Sequence, residues 1–180
     1  EIGTEINQDM YEKQAKKIYL ALGSNLGNKK KNLEYAKYLL EKNKKIKILK
    51  TSNFYKTKSW PNNKHPFFIN IVVEGITILK PIELFKFIKQ IEVMLGRKKS
   101  LKNSPRECDI DIIDYDKKSL KIKNNDDFII IPHPMLHKRN FVLVPLFEIS
   151  KNWVYPKKNR KISDLLMKMD TNDLRTIKLI

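Results

Sequence analysis

Two aspartates, Asp109 and Asp111, form the part of the sequence whose residue types and spacing most directly suggest chemistry. They lie two apart in a β-branched, apolar run, and residues two apart on a strand point to the same face. Adjacent carboxylates repel each other unless a cation lies between them, and oxygen ligands suit Mg²⁺. The segment from Arg97 to Arg106 holds five basic residues and no acidic one, which suits phosphate. The pattern therefore indicates a metal-dependent site that handles a nucleotide polyphosphate.

The same residues have a simpler interpretation. Alternating Asp and Ile is also typical of an ordinary half-buried strand with one solvated face. Runs of basic residues are most often solvated loops. The local pattern leaves both interpretations open, so the rest of the chain has to decide between them.

The elements that position these aspartates follow from hydrophobic periodicity and turn residues. In chain order, the sequence predicts a strand at Ile18–Leu22, a helix to about Glu41, strands at Ile46–Thr57 and Phe67–Ile78, a helix from Pro81 to Gly96, and the strand of Asp109. The first helix is expected to bury an apolar stripe of Leu33, Ala36, Tyr38, Leu39 and Leu40. This βαββαβ order predicts an α+β fold with a ferredoxin-like, or split βαβ, core.

Additional C-terminal elements are expected after the fourth strand. Residues 117–127 are predicted to form a polar, hairpin-like excursion, and residues 136–149 a short helix and loop. Ser163 is expected to cap a last helix, Asp164 to Met169. Residues 1–16 are polar and are predicted to form a tail, which leaves 17–180 as a single domain large enough for a hydrophobic core.

The composition is typical of a globular domain, with 41% hydrophobic and 32% charged residues. A net charge of +17 suggests an anionic partner, such as nucleic acid, an acidic membrane surface or a phosphorylated substrate. Because the lysines are spread along the whole chain, charge alone does not predict specific nucleic-acid binding. The single cysteine, Cys108, excludes an internal disulfide. No apolar run approaches the ~20 residues of a membrane span, and no signal-peptide pattern is seen, so a cytoplasmic location is expected.

Several motifs occur in an order that resembles one known family. They are Gly23-Ser-Asn-Leu-Gly27, Phe67-Phe-Ile-Asn70, Gly96-Arg97, Pro105-Arg-x-x-Asp-Ile-Asp111, Ile131-Pro-His-Pro134 and Arg139-x-Phe141. Any one motif is a weak signal, but the segment around the two aspartates is fairly specific and the ordered set is strong. From about Ile18 to Pro156, the chain resembles the 6-hydroxymethyl-7,8-dihydropterin pyrophosphokinases of folate biosynthesis.

The resemblance implies an ATP-dependent diphosphotransferase that moves pyrophosphate from ATP to the pterin hydroxymethyl group and releases AMP. It implies that Asp109 and Asp111 hold two Mg²⁺ ions, which would neutralise charge on the phosphates. Arg97 and Arg106 match catalytic positions that grip phosphate, a task that suits planar guanidinium groups. The nucleotide-binding residues that it implies are Glu92, Arg97, Lys99, Lys102, Arg106, His133 and Arg139.

On the pterin side, the resemblance implies Thr57, Phe68, Asn70 and Phe141. The two aromatic rings would sandwich the flat heterocycle, and the Asn70 amide offers a donor and an acceptor to its edge. Phe68 and Asn70 also share one face of their predicted strand. A purely structural role for the phenylalanines also stays open, because phenylalanine side chains pack in a hydrophobic core more often than they contact a ligand.

The chain departs from the family pattern near the predicted site. Lys102 and Asn103 stand where an arginine and a tryptophan are common, and Thr57-Lys-Ser replaces a frequent Thr-Pro-Pro. Residues 98–104 are nevertheless expected to form a mobile lid that closes over the substrates. The resemblance implies ATP and the hydroxymethyl-dihydropterin as small-molecule partners, and a monomer is expected.

A basic ferredoxin-like RNA-binding module is the alternative function, since βαββ order and high basicity also fit that class. Such modules need two or three exposed aromatic residues on their central strands. The predicted strand of Asp109 and Asp111 offers two carboxylates there instead, which would repel phosphate in the absence of metal. The sequence therefore favours the enzyme.

Overall fold

The computed structural model describes residues 13–59, 64–98, 104–124 and 127–180. Its first half contains β1 (Lys16–Ser24), α1 (Lys29–Lys42), β2 (Ile46–Thr51), β3 (Tyr55–Thr57), β4 (Phe68–Thr77), α2 (Pro81–Met94) and β5 (Asp109–Tyr115). The second half contains β6 (Leu120–Asn124), β7 (Asp127–Ile131), a 3₁₀ turn (Leu136–Lys138), α3 (Asn140–Ile149), β8 (Val154–Tyr155), β9 (Arg160–Lys161), α4 (Ile162–Met167), α5 (Thr171–Thr176) and β10 (Lys178–Leu179). The fold thus mixes α-helices and β-strands, in agreement with the predicted α+β class.

The central sheet is antiparallel and has the strand order β10-β3-β4-β1-β5, with β2 also paired to β4. The strand predicted over 46–57 is therefore two strands that lie along the same edge of β4. Between them, Ser52 still bonds Val72, but the Asn53 amide donates to the Glu148 carboxylate at 3.0 Å instead of to the sheet. This contact with a residue on α3 ends β2.

Both faces of the sheet are covered. Helices α1 and α2 pack on one face over a core that includes Leu33, Ala36, Leu84, Ile88, Ile110 and Ile112. Helices α3 and α4 cover the other face through Val142, Leu143, Leu146, Trp153, Ile162 and Leu165. The predicted stripe on α1 is confirmed except at Tyr38, which is 56% exposed and stacks on Tyr35.

The end of α2 delivers the chain to the basic segment. Pro81 lies in the first turn as predicted, and Glu83 accepts a hydrogen bond from the Lys80 amide at 2.7 Å. The helix ends at Met94, and Gly96 follows with φ +109°. A Cβ at Gly96 would lie 3.1 Å from the Glu107 carboxylate carbon, so both backbone conformation and space favour glycine before Arg97.

The C-terminal elements differ from the prediction. The predicted helix 164–169 lies at Ile162–Met167, and its N-cap residue is Lys161 rather than Ser163. The start is set by tertiary contacts, because Ile162 is fully buried and its amide donates to Trp153 O at 3.0 Å. Helix α5 and strand β10 were not predicted.

Within the described ranges, no helix is both long and apolar enough to cross a membrane.

Candidate active site

A pocket opens where the ends of β1, β3, β4 and β5 meet the start of α3. Eight residues that the resemblance implied for the site line this pocket: Thr57, Phe68, Asn70, Arg106, Asp109, Asp111, Arg139 and Phe141. Ala21, Leu22, Gly23, Lys58 and Val142 complete the lining. The structure therefore brings together residues that span more than 80 positions of the chain.

The two aspartates project from β5 into this pocket. Asp109 pairs with Gly23 and Asp111 with Ala21 in the register between β5 and β1. Ile110 is buried on the opposite face, with Cys108 also buried next to the strand. The side-by-side carboxylates that the alternating pattern predicted are present.

Asp109 is held by two arginines. Its Oδ1 accepts from Arg97 Nη1 at 2.9 Å, and its Oδ2 accepts from Arg106 Nη2 at 2.7 Å. Burial acts to raise the pKa of Asp109, but Arg106, with smaller contributions from Lys89 and Arg97, outweighs it and holds the pKa below the ordinary value of 3.8. Asp109 is therefore an anion at neutral pH.

Asp111 belongs to a second ion pair. Arg139 Nη1 donates to its Oδ2 at 2.8 Å, and Arg139 Nη2 lies 3.2 Å from His133 Nε2. Burial, followed by the charge of Arg139, lowers the pKa of His133 below 6.5, so this imidazole is neutral at physiological pH. His133 and Arg139 thus lie together beside the second carboxylate, whereas their contact with a nucleotide stays a prediction.

Each pocket arginine also lies against an aromatic ring. The guanidinium carbon of Arg106 is 5.6 Å from the centre of the Phe68 ring, and that of Arg139 is 5.6 Å from the centre of the Phe141 ring. Among the described residues, the Nε–H groups of Arg106 and Arg139 are buried without a hydrogen-bond partner. Buried donors are normally paired, so these two indicate an anionic ligand that completes them.

The polar wall of the pocket is formed by β3 and β4. Asn70 Nδ2 donates to Thr57 Oγ1 at 2.9 Å, and both residues are buried. The Oδ1 atom of Asn70 and its second amide hydrogen have no protein partner among the described residues. A Cβ at Gly23 would lie only 3.0 Å from Asn70 Oδ1 and 3.3 Å from the Phe68 ring, so glycine leaves room beside both.

Glu92 lies beneath the pocket and does not line it. Its side chain is fully buried; Oε1 accepts from the Ile110 amide at 2.8 Å, and its carboxylate also pairs with Lys89 and Arg97. Burial raises the pKa of Glu92. In this position Glu92 joins the end of α2 to β5 and orients Arg97, whereas direct contact with a nucleotide stays a prediction.

Asn25 supports the site from outside the pocket lining, and the sequence analysis missed it because the Gly23–Gly27 segment was used there only as a motif. Its amide donates to Arg106 O at 3.1 Å, and its Oδ1 accepts from the Arg106 amide at 2.8 Å. Its Nδ2 also donates to Pro66 O at 3.3 Å. Asn25 thereby fixes the backbone of Arg106 to the end of β1. A polar residue inside a glycine-bounded turn was the available signal.

A second cleft adjoins the pocket at Asp111. It is lined by residues of α2, β5 and β7, including Phe85, Lys89, Ile112, Phe128, Ile129, Ile130, Ile131 and His133. Most of its lining residues are hydrophobic, but Lys89, Asp111 and His133 add polar and charged groups. Most of the predicted lid lies outside the described residues, including Lys99, Lys102 and Asn103. The roles predicted for these residues therefore stay predictions.

Comparison with known proteins identifies relatives over most of the chain. Residues 19–151 match the model of the 7,8-dihydro-6-hydroxymethylpterin-pyrophosphokinase (HPPK) family. A 2-amino-4-hydroxy-6-hydroxymethyldihydropteridine pyrophosphokinase of Aquifex aeolicus is 38% identical over 140 residues, which cover 77% of this chain and 83% of the relative. The folic acid synthesis protein FOL1 of Dictyostelium discoideum is 42% identical over 139 residues, which are 77% of this chain and 20% of that protein.

Among solved structures, wild-type HPPK-DHPS of Plasmodium falciparum matches 86% of this chain and 41% of its own with a TM-score of 0.69 at 18% identity, which shows a shared fold. The chain spans only about 20% to 38% of the length of several longer relatives that it matches. The Aquifex relative, by contrast, is matched over most of its length. With the site geometry and the family match in agreement, the chain belongs to the 7,8-dihydro-6-hydroxymethylpterin-pyrophosphokinase family, as its motifs predicted.

Proposed function

We propose that this chain transfers pyrophosphate from ATP to the hydroxymethyl group of 6-hydroxymethyl-7,8-dihydropterin and releases AMP. The observation that carries the proposal is one pocket that combines two carboxylates, two arginines with unpaired buried Nε–H groups, and two phenylalanines beside a buried amide. The family match supports the same activity. The core arrangement of four main strands and two helices on one face supports a ferredoxin-like topology.

The pterin half of the proposal rests on Phe68, Asn70, Thr57 and Phe141. A flat heterocycle between two rings gains stacking energy of ~0.5–1.5 kcal/mol per aromatic pair beyond its buried area. Asn70 keeps one acceptor and one donor unused by the protein, which suits the alternating acceptors and donors on a pterin edge. The guanidinium groups of Arg106 and Arg139 lie 5.6 Å from the centres of these rings, so they would have to shift if the heterocycle stacks on the same ring faces.

The nucleotide half rests on the arginines and the adjoining cleft. Phosphate oxygens placed near the aspartates would meet Arg97, Arg106 and Arg139, which already converge there. The cleft that begins at Asp111 includes Phe85, Phe128 and several isoleucines in its lining, and these side chains suit an aromatic base whose phosphates are directed toward the aspartates. ATP bound in this way would bring its phosphates to the hydroxymethyl group of the stacked pterin.

Mg²⁺ fits the donor set that the pocket offers. Asp109 and Asp111 supply hard oxygen ligands, and the described residues include no group of three or more His, Cys, Asp or Glu side chains placed to hold a metal. Mg²⁺ is commonly held by one or two carboxylates together with substrate phosphates. When bound, two such ions would neutralise charge on the phosphate oxygens. The arginines that now pair with the carboxylates would then be available to phosphate.

The proposed reaction is an in-line displacement. The hydroxymethyl oxygen forms a bond to the β-phosphorus, and the bond from that phosphorus to the oxygen bridging the α-phosphorus breaks. AMP leaves with the bridging oxygen, and the hydroxyl proton is released. Arg97 and Arg106 stabilise the charge that develops on the phosphates, while Asn70 and the two rings hold the acceptor in place.

The RNA-binding alternative is not favoured. Sheet-based RNA modules present exposed aromatic residues on an open sheet face, whereas α3 and α4 cover the face of this sheet that α1 and α2 leave free. A monomeric state, a cytoplasmic location and a single domain over 17–180 stay predictions.

Measurement of AMP release tests the proposal directly. Protein, ATP, Mg²⁺ and hydroxymethyl-dihydropterin should yield AMP and the pterin diphosphate in equal amounts. Omission of the pterin should stop AMP formation, and Asp109→Asn serves as the matched inactive variant. The absence of pterin-dependent AMP from folded wild-type protein would contradict the proposed function.

A further inference from the structure

We infer that the C-terminal strap, residues 170–180, positions the proposed pterin site, and that Asn140 and Thr176 are the positioning residues through which it acts. The inference rests on the proposed function, because it concerns the same pocket. The strap contains α5 and β10 and lies beyond residue 151, where the match to the family model ends. Its role is therefore a property of this chain that the family match does not supply.

One end of the strap is bonded to the start of α3. Asn140 is the first residue of α3, and its Nδ2 donates to Asp173 O at 2.6 Å and to Thr176 Oγ1 at 3.0 Å. The Thr176 hydroxyl in turn donates to Asp173 O at 2.7 Å. Phe141 follows Asn140 directly and lines the pocket. The strap therefore restrains the helix start from which the Phe141 ring projects.

The other end of the strap is bonded to β3. Lys178 pairs with Lys56 and Leu179 with Tyr55, and the Ile180 amide donates to Phe54 O at 3.1 Å. Strand β3 ends at Thr57, whose hydroxyl accepts the hydrogen bond from Asn70. Without β10, β3 would be a three-residue edge strand, and edge strands are the least restrained part of a sheet.

The strap consequently links the two elements that face each other across the proposed pterin pocket. Between its ends, Asp173 and Thr176 line a groove that also includes Thr57 and Phe141. Glu148 makes a separate link between α3 and β3, since it accepts from the Tyr55 hydroxyl at 2.6 Å and from Asn53. That link lies at the opposite end of α3, so it holds the layers together without fixing the distance between Thr57 and Phe141.

The strap contributes little to the hydrophobic core. No residue of α5 is buried, and both strand residues of β10 are exposed. A segment without buried apolar side chains adds little to global stability. Changes in the strap should therefore alter the pterin site while the fold persists, and this separates a positioning role from a purely structural one.

Four single variants test the inference. Thr176→Val removes the hydroxyl at nearly constant shape, and Asn140→Ala removes the amide that binds it. Thr176→Ser keeps the hydroxyl, and Thr171→Val is the matched control, because it makes the same change on α5 at a position outside the groove. Pterin binding is titrated in the presence of α,β-methylene-ATP and Mg²⁺, nucleotide binding is titrated alone, and unfolding is followed in urea.

Thr176→Val and Asn140→Ala should each raise the pterin Kd about tenfold, the equivalent of one or two lost hydrogen bonds. In turnover assays the pterin KM should rise by more than kcat falls. Nucleotide Kd should match wild type, and the urea midpoint should change little because the lost hydrogen bonds are exposed. Thr176→Ser and Thr171→Val should bind pterin normally. Removal of residues 171–180 should produce a larger change in the same direction.

Two results would overturn the inference. In one, both variants and the truncated protein bind pterin within twofold of wild type. In the other, pterin affinity, nucleotide affinity and stability all fall together, which would make the strap a general brace. A wild-type protein that binds nucleotide but no pterin would instead refute the proposed function, and the inference with it, before any variant is compared.

Discussion

Replacement of Asn70 by alanine separates the two halves of the proposed site. Asn70 is buried, and one amide hydrogen bonds Thr57 Oγ1, which leaves its Oδ1 and second hydrogen for a ligand. Asn70→Ala would leave the matching polar groups of a bound pterin buried without a hydrogen-bond partner. An unsatisfied buried polar group costs roughly 1–3 kcal/mol, so the pterin Kd should rise by about 5- to 150-fold.

The same change should have small effects elsewhere. Loss of the Thr57 hydrogen bond should lower the free energy of unfolding by about 1 kcal/mol. Nucleotide affinity should stay within about twofold, because the arginines and aspartates that are proposed to bind the phosphates make no hydrogen bond to the Asn70 amide. Asn53→Ala is the matched control, since Asn53 is exposed and bonds Glu148 outside the pocket.

Titration calorimetry provides the assay. The pterin is titrated into protein saturated with α,β-methylene-ATP and Mg²⁺, and the nucleotide is titrated separately into free protein. Equal losses of affinity for both ligands, or a pterin Kd within twofold of wild type, would refute the assignment of Asn70 to the pterin edge. A comparable loss in Asn53→Ala would show that the effect is not local to the pocket.

Four further outcomes are expected. Asp109→Asn and Asp111→Asn should nearly abolish AMP formation while circular dichroism stays that of wild type; near-normal rates would exclude the metal role. Arg106 holds the pKa of Asp109 below 3.8, so the ionised Asp109 carboxylate stabilises the fold above pH 3.8, and this stabilisation disappears as the pH falls through the lowered pKa. The difference in unfolding free energy between wild type and Asp109→Asn, measured by urea titration, should therefore shrink as the pH is lowered through that pKa. Burial raises the pKa of the Cys108 thiol, so a thiol reagent at pH 8 should react with it only after unfolding. Nucleic-acid binding measured by fluorescence anisotropy should be weak and vanish with added salt, and tight, sequence-selective binding of RNA at physiological salt would contradict the proposed function.

The charged groups of the site have an arrangement that bears on the proposed binding of substrates. Three arginines pair with the two aspartates, and two of them also lie against the phenylalanine rings. These contacts neutralise the carboxylates. Under the proposed function, phosphate would compete for the guanidinium groups and Mg²⁺ for the carboxylates, so both exchanges would favour binding of the metal and the nucleotide together.

Sequence patterns predicted the features of this site that depend on local geometry. Strand alternation is sufficient to place Asp109 with Asp111, and Phe68 with Asn70, because side chains repeat every two residues on a strand. The helix beginning at Pro81 was likewise predicted, since a proline in the first turn and a following glycine act through nearest neighbours. The ordered motifs identified the family before any contact was known.

Only the tertiary structure decided which distant groups meet. The bonds from Asn25 to Arg106 span 81 residues, and those from Asn140 to the strap span 33 and 36. No local periodicity encodes such pairs, because each depends on how strands and helices pack. The same reason explains Glu92, whose helical position gave no sign of full burial against the Ile110 amide. It also explains why helix α4 begins at Ile162. Burial of Ile162 in the core beneath α3 and α4 sets that start, rather than a side-chain cap at Ser163.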